Sequence, residues 1–274
     1  MVLTTVTTKK PRPQRLDGYN AKMSLFPKRR KRQVSPRLIP IAAMDDLGFD
    51  YVIRLSSRKS ASIEIRATEV RVSAPHRATQ RELKHWVAEK APWIRSKLAE
   101  QQRRVQQIPQ RSFAHNEDWP FMGRSITLNI ECGSKSQTQL VDDRLIITLS
   151  NRSQKPQSTQ VATALKNWYQ RQAQTILSQK ALAVSERLKA PIRSIKLRRT
   201  KSKWGHCTIQ GDLQFNWLIM QAPEAVIDYL VVHECCHLIH HNHSRQYWQL
   251  VESLSPDYQT AKRWLSEQGH RLVL

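Results

Sequence analysis

The chain has 274 residues, of which 39% are apolar, and its formal net charge is +23 at pH 7. This length suits one large domain or two small ones with a packed core. No run approaches the roughly 18 apolar residues that a membrane span requires, which excludes a transmembrane protein. The four cysteines form no C-x-x-C pair and no disulfide framework. We therefore expect a cytoplasmic protein in a reducing compartment.

The positive charge is concentrated at the N-terminus. Residues 1–40 contain eleven Lys and Arg and a single acid, Asp17, so this segment carries ten of the 23 net positive charges. It is rich in proline and lacks apolar periodicity, which predicts a disordered basic arm. Such an arm, together with the basic surface of the rest of the chain, favours contact with nucleic acid; a solubilising tail is the alternative.

Order is expected from residue 41 onwards. Residues 41–150 are predicted to be β-rich, with antiparallel strands at 51–55, 62–66, 70–73, 125–130 and 144–149. A helical pattern covers 79–104, and Pro92 within it predicts a kink or a break. Residues 155–274 are predicted to be mainly helical, with a long helix over 159–188, extended runs at 192–197 and 212–219, and a helix after Pro223. The fold class is α+β.

The motif with the clearest chemistry is H-E-x-x-H, formed by His233, Glu234 and His237. On a helix, positions i and i+4 are separated by about 400° of rotation, so both imidazoles lie on one face and can reach one metal ion. Glu234 lies about 100° from His233, which keeps it off the metal and beside a metal-bound water. There it would act as a general base. This spacing predicts a catalytic zinc site.

A catalytic zinc normally has three protein ligands and one position left for water. The candidates for the third ligand are His240, His241, His243 and Glu252. His240 is about 10.5 Å along the helix from His233, too far for a shared ion, and His241 points elsewhere. His243 lies ten residues after His233, the offset of the third histidine in longer zinc motifs. We favour His243 over Glu252, on the condition that the helix ends near Asn242 in a left-handed conformation.

Several motifs together resemble the YgjP-like metallopeptidases, zincin-like proteins that are distantly related to SprT-type proteases. The motifs are Trp204-Gly205-His206-Cys207, His233-Glu234-Cys235-Cys236-His237-Leu238 and Asn242-His243-Ser244, and the resemblance covers about 190–268 closely. It implies one Zn²⁺ on His233, His237 and His243, with Glu234 catalytic. His206 departs from the family, which usually has a small residue there; we expect a surface turn residue, with a role in the cleft as the alternative.

These observations predict a metallopeptidase domain over residues 41–274, with a β-rich part at 41–150 and a zincin-like catalytic part at 155–274. We expect a zinc-dependent enzyme that hydrolyses peptide bonds of protein or peptide substrates. One alternative is a nucleic-acid-associated protease that acts on DNA-bound proteins. The other is a non-catalytic binding module with a closed structural zinc site, for which Cys236 or His206 would supply a fourth ligand.

Overall fold

The computed structural model describes residues 20–23, 37–41, 47–66, 69–200 and 203–274, and for 20–23 and 37–41 it describes the backbone only. The described residues form two compact units. One comprises those between 17 and 107, and the other comprises Ile108–Leu274. The sequence-based division into a β-rich part at 41–150 and a catalytic part at 155–274 stays a prediction.

The first unit is a five-stranded mixed sheet followed by one long helix. Its elements are β1 (Asn20–Met23), β2 (Arg37–Ile41), β3 (Tyr51–Ser56), β4 (Ala61–Arg66), β5 (Glu69–Pro75) and α1 (Gln80–Gln106). The strand order is β1-β4-β5-β3-β2. The β3–β5 pair is parallel and the other pairs are antiparallel. Apolar residues of β3, β4 and β5 alternate inwards and pack with α1 into one core.

Two features of this unit differ from the predictions. Strands β1 and β2 lie within or at the edge of the segment predicted to be disordered, because they add to the edges that β4 and β3 present. The rest of the predicted arm, with its densest basic run, lies outside the described residues. In addition, α1 continues through Pro92, so the predicted break is absent, while the alternative of a kink stays a prediction. Its buried residues on both sides of the proline hold the helix together despite the one hydrogen bond that proline cannot donate.

The second unit begins with a four-stranded sheet. Its strands are β6 (Asp118–Phe121), β7 (Arg124–Gly133), β8 (Gln137–Val141) and β9 (Arg144–Ser150), in the order β6-β7-β9-β8. The β7–β9 pair is parallel, so both sheets are mixed rather than antiparallel throughout. Residues 137–141 were not predicted as a strand, because the polar residues at 137–139 show no alternation with apolar ones. The inner face of the sheet is apolar and belongs to the larger core.

The rest of the second unit places the sequence motifs. Its elements are α2 (Gln157–Leu188), β10 (Ser194–Arg198), β11 (Gly205–Cys207), β12 (Asp212–Asn216), a 3₁₀ helix (Trp217–Gln221), α3 (Glu224–Cys236), α4 (Arg245–Leu254), α5 (Tyr258–Gln268) and a second 3₁₀ helix (Gly269–Arg271). The three strands are ordered β10-β12-β11, which leaves β11 at an edge. The extended run predicted to reach residue 219 ends at Asn216, whose side chain caps the 3₁₀ helix.

The predicted α+β class is confirmed, and so is the helical C-terminal region. In the described part of the chain, none of the helices combines the length and the apolarity required to cross a bilayer. Localisation to the cytoplasm and contact with nucleic acid stay predictions.

Candidate metal centre

Helix α3 carries His233 and Glu234 of the H-E-x-x-H motif, and His237 is its C-cap residue. Pro223 stands at its N-cap with φ −55°, and Glu224 in the first turn suits the positive end of the helix. Nine of its thirteen residues are buried, so apolar contacts with α2 and the surrounding core fix the helix in place. Buried, well-packed surroundings hold side-chain rotamers, so the motif is carried on a rigid support.

Three histidines converge at the end of this helix. The ligand atoms of His233, His237 and His243 all lie within 4.8 Å of one another. The Nε2 atoms of His233 and His243 are 3.3 Å apart, and the ring centroids of His237 and His243 are 4.8 Å apart. Burial, reinforced by the neighbouring imidazoles, lowers the pKa of His233 to about 3 and that of His243 to about 4. Both rings are therefore neutral at physiological pH, which is the form that binds a metal ion.

His243 returns to the helix by a route that differs from the predicted one. Helix α3 ends at Cys236, and short turn bonds follow, from Leu238 N to Cys235 O at 2.9 Å and from His240 N to Cys236 O at 3.0 Å. Asn242 is not among the described non-glycine residues with positive φ. The prediction of a helix that continues to a left-handed Asn242 is wrong, because tight turns satisfy the last helical carbonyls without a left-handed residue.

The other ring nitrogens have partners of their own. His237 Nδ1 lies 3.0 Å from the backbone oxygen of His240, and His233 Nδ1 lies 3.5 Å from the Tyr229 hydroxyl. Because a backbone oxygen only accepts, the contact with His240 places the proton of His237 on Nδ1 and leaves Nε2 of that ring free to bind a metal. The side chain of His240 does not join the cluster, as predicted. Its backbone oxygen orients His237, and the spacing of side chains in the sequence does not indicate this contact.

Helix α4 supports the cluster from a second side. Ser244 caps it by accepting a hydrogen bond from Tyr247 N at 3.3 Å. The Tyr247 hydroxyl donates to the backbone oxygen of His233 at 2.9 Å, and its ring stacks on His237 with centroids 4.6 Å apart. Trp248 stacks on His243 at 5.5 Å with an interplanar angle of 21°. No sequence motif indicated this contact between Trp248 and the third histidine.

Glu234 lies beside the cluster in an apolar environment. It is 4% exposed, and its carboxylate makes no hydrogen bond to a described residue. Burial raises the pKa of Glu234 to about 8, opposed by the positive charge of Lys203. A carboxyl group in this range is able to accept and return a proton near neutral pH.

Strand β11 passes directly against this carboxylate. A Cβ atom added to Gly205 would lie 2.5 Å from Cγ and 2.6 Å from Cδ of Glu234, distances that real side chains do not adopt. Only glycine therefore allows the strand and the carboxylate to approach so closely. Gly205 entered the sequence interpretation only as part of a family motif, because proximity to Glu234 depends on the fold.

The remaining candidates do not join the cluster. The group of histidine, cysteine and acidic residues found among the described residues contains none of His240, His241, Glu252, Cys236 and His206. Glu252 is exposed on α4, and burial raises the pKa of Cys236 to about 12, as expected for a core thiol. His206 is exposed, as predicted, but it lies in strand β11 and pairs with Gln214 of β12, so the predicted turn at this residue is wrong.

An α+β unit with three clustered histidines and a buried glutamate on one helix has the form of a metallopeptidase site. The family model for the YgjP-like metallopeptidase domain matches residues 59–268. The chain therefore belongs to the YgjP-like family. This match confirms the resemblance that the sequence motifs predicted. The match begins in the first unit and continues through the helices that carry the motif.

The other comparisons add little. None of the curated proteins matches the chain. A solved structure, the metallopeptidase zymogen abylysin of Pyrococcus abyssi, is similar over 36% of this chain and 100% of its own, with 17% identity and a TM-score of 0.32. That score is too low to support any statement about this protein.

Proposed function

We propose that the chain is a zinc-dependent peptidase in which His233, His237 and His243 bind one zinc ion and Glu234 is the general base. The observation that carries this proposal is the convergence of three imidazoles, with ligand atoms within 4.8 Å, beside a buried glutamate on the same helix. Membership of a metallopeptidase family supports hydrolysis of protein or peptide substrates.

The donor set fits zinc. Three neutral imidazole nitrogens are typical of catalytic zinc, whereas structural sites usually have four protein ligands. Among the described residues no fourth His, Cys, Asp or Glu joins the group, which favours an open catalytic site over a closed structural one. When bound, zinc would supply Lewis acidity, polarising the scissile carbonyl and making water more acidic.

Glu234 would move the protons. Its carboxylate has no described hydrogen-bond partner, so it is available to accept a proton from the attacking water and to return it to the leaving amine. The backbone at Gly205 closes one side of the carboxylate, which limits solvation and fixes its position. Tyr247 holds the backbone of His233, and with it the adjacent Glu234, through the 2.9 Å hydrogen bond.

The full-length protein, loaded with one equivalent of zinc, should cleave members of a quenched fluorescent peptide library. We expect Glu234→Gln to lower kcat by about 10³-fold or more, the size of a lost general base and its positioning, while zinc content stays at one ion per chain. Glu252→Gln, which changes an exposed acid on α4, is the matched control and should keep full activity. Peptide cleavage by Glu234→Gln at the wild-type rate would rule out this role.

A further inference from the structure

Lys262 lies on α5 next to the metal centre. Its Nζ atom is 4.2 Å from the centroid of the Trp248 ring, a cation–π distance. Trp248 in turn stacks on His243, and its ring centroid lies 5.9 Å from that of His233. The positive charge of Lys262 contributes to the lowered pKa of both histidines, so the ammonium acts on the space where the metal would bind.

Lys262 has no carboxylate partner in the part of the chain that the structure describes. Among the described residues, no Asp or Glu lies within ion-pair distance of Lys262, and partial burial lowers its pKa. Lys180 on α2 shows the usual alternative, since its Nζ lies 2.7 Å from carboxylate oxygens of both Glu224 and Asp228. A partly desolvated cation without a counter-ion destabilises the fold, and it also repels a neighbouring metal cation. Its position is explained if an anion occupies the site during function.

The charges around the metal centre also favour the binding of an anion. Glu234 is the acid at the centre, whereas Lys203 and Lys262 are two cations whose fields reach Glu234 and the histidines respectively. Binding of a divalent metal would make the site more positive still. A site of this sign attracts anionic ligands and disfavours cationic ones.

We propose that Lys262 binds a carboxylate of the substrate, so that the enzyme acts on peptides with an acidic group next to the scissile bond. This inference rests on the peptidase function proposed above and specifies its substrate class. The carboxylate is supplied either by an Asp or Glu side chain or by a free C-terminus, and both present the same chemistry to an ammonium group. The aromatic face of Trp248 orients the ammonium beside His243.

A binding experiment tests the lysine without requiring catalysis. The cobalt-loaded full-length protein is titrated with succinic monohydroxamate, which has a free carboxylate, and with its amide analogue, and binding is followed by the cobalt absorption band. We expect the carboxylate form to bind about tenfold more tightly, the factor typical of one charge-assisted hydrogen bond. Lys262→Met should abolish this preference, and Lys166→Met, an exposed lysine on α2, should retain it.

Lys262→Arg separates charge from packing. Because it keeps the positive charge, it should retain a preference of several-fold for the carboxylate form. Equal affinity of the wild-type protein for both hydroxamates would overturn the proposal. An undiminished preference for the carboxylate form in Lys262→Met would also overturn it. So would a loss of this preference in Lys262→Arg as complete as in Lys262→Met, because that result would indicate that Lys262 acts through packing alone.

Peptide cleavage then identifies the source of the carboxylate. Peptides with Glu or Gln beside the scissile bond are compared, each with a free or an amidated C-terminus. A dependence on Glu supports side-chain recognition, and a dependence on the free terminus supports carboxypeptidase-like recognition; cleavage that is indifferent to both contradicts the proposal. If no peptide is cleaved while the hydroxamate preference depends on Lys262, the peptidase function fails and the carboxylate site stands.

Discussion

Two parts of the candidate metal centre hold their histidines by different physical means. His233 lies in the buried helix α3 and His237 is its C-cap residue, still with right-handed helical backbone, so one helix end places both side chains near each other. His243 is exposed and lies on the segment between α3 and α4, where aromatic rings of Tyr247 and Trp248 contact it. The first pair depends on local structure and the third histidine depends on tertiary contacts.

This difference determines where the site is sensitive to substitution. On the α3 side, strand β11 lies so close to Glu234 that a Cβ added at Gly205 would overlap its carboxylate, so added atoms should displace the groups of the site. Around His243 the contacts are ring stacks at an exposed position, so removal of a ring should loosen one ligand without disturbing the other two. Variants on each side therefore separate the two kinds of support.

The largest effect is expected at Gly205, on the packed side. Gly205→Ala places a Cβ within 2.6 Å of Glu234 Cδ, so the strand or the carboxylate must move. We expect a stability loss of about 1–3 kcal/mol from overpacking. Activity should fall about 10²-fold, because misplacement by about 1 Å has that cost. Metal affinity should stay near that of the wild type, as measured by chelator competition.

Gly133→Ala is the matched control for Gly205→Ala. Its Cβ would also meet a neighbour too closely, Thr148 Cγ2 at 2.7 Å, but in the four-stranded sheet away from Glu234. It should reduce stability without a specific loss of kcat. If the two variants have the same kcat, the contact between Gly205 and Glu234 has no catalytic importance.

The next effect is expected on the exposed side. Trp248→Ala removes the ring that stacks on His243, and we expect zinc affinity to fall about 10–100-fold, the range for residues that orient metal ligands. Trp264→Ala is the control, since this partly buried tryptophan packs on the same core but is absent from the described ring contacts of the three histidines. Equal zinc affinities of the two variants would contradict an orienting role for Trp248.

The same difference explains what the sequence was able to predict. The spacing of His233, Glu234 and His237 is a local property of one helix, and the cluster contains the predicted His243 as well. The route by which His243 returns was wrong, because it depends on turns after Cys236 that have no strong sequence signal. Gly205, Tyr247 and Lys262 gain their positions next to the site from tertiary packing, which periodicity and motif spacing do not encode.

A smaller effect is expected from the Tyr247 hydroxyl. Tyr247→Phe keeps the ring that stacks on His237 and removes the hydrogen bond to the backbone of His233. We expect a stability loss of about 1 kcal/mol, typical of one hydrogen bond with a backbone acceptor left unpaired. Zinc affinity should change far less than in Trp248→Ala, because α3 still fixes His233. Chemical denaturation and chelator competition measure the two quantities, and a larger affinity loss than in Trp248→Ala would contradict the proposed division of support.

The smallest effect concerns the ion pair that anchors the sheet carrying β11. Arg193 Nε donates to Asp212 Oδ1 at 2.7 Å, joining the segment before β10 to β12, and Arg193 with Ser194 holds the pKa of Asp212 well below its usual range. A carboxyl group whose pKa is lowered by folding stabilises the protein above its unfolded pKa of about 3.9 and loses that contribution as pH falls through the folded value. Asp212→Asn should therefore be less stable than the wild type at pH 7, and the difference should shrink below about pH 4. Denaturation midpoints of the two proteins at pH 7 and below pH 4 measure this difference in stability, and Glu252→Gln, at an exposed position, is the control. If the stability difference between Asp212→Asn and the wild type does not depend on pH, the charge of Asp212 does not anchor the sheet.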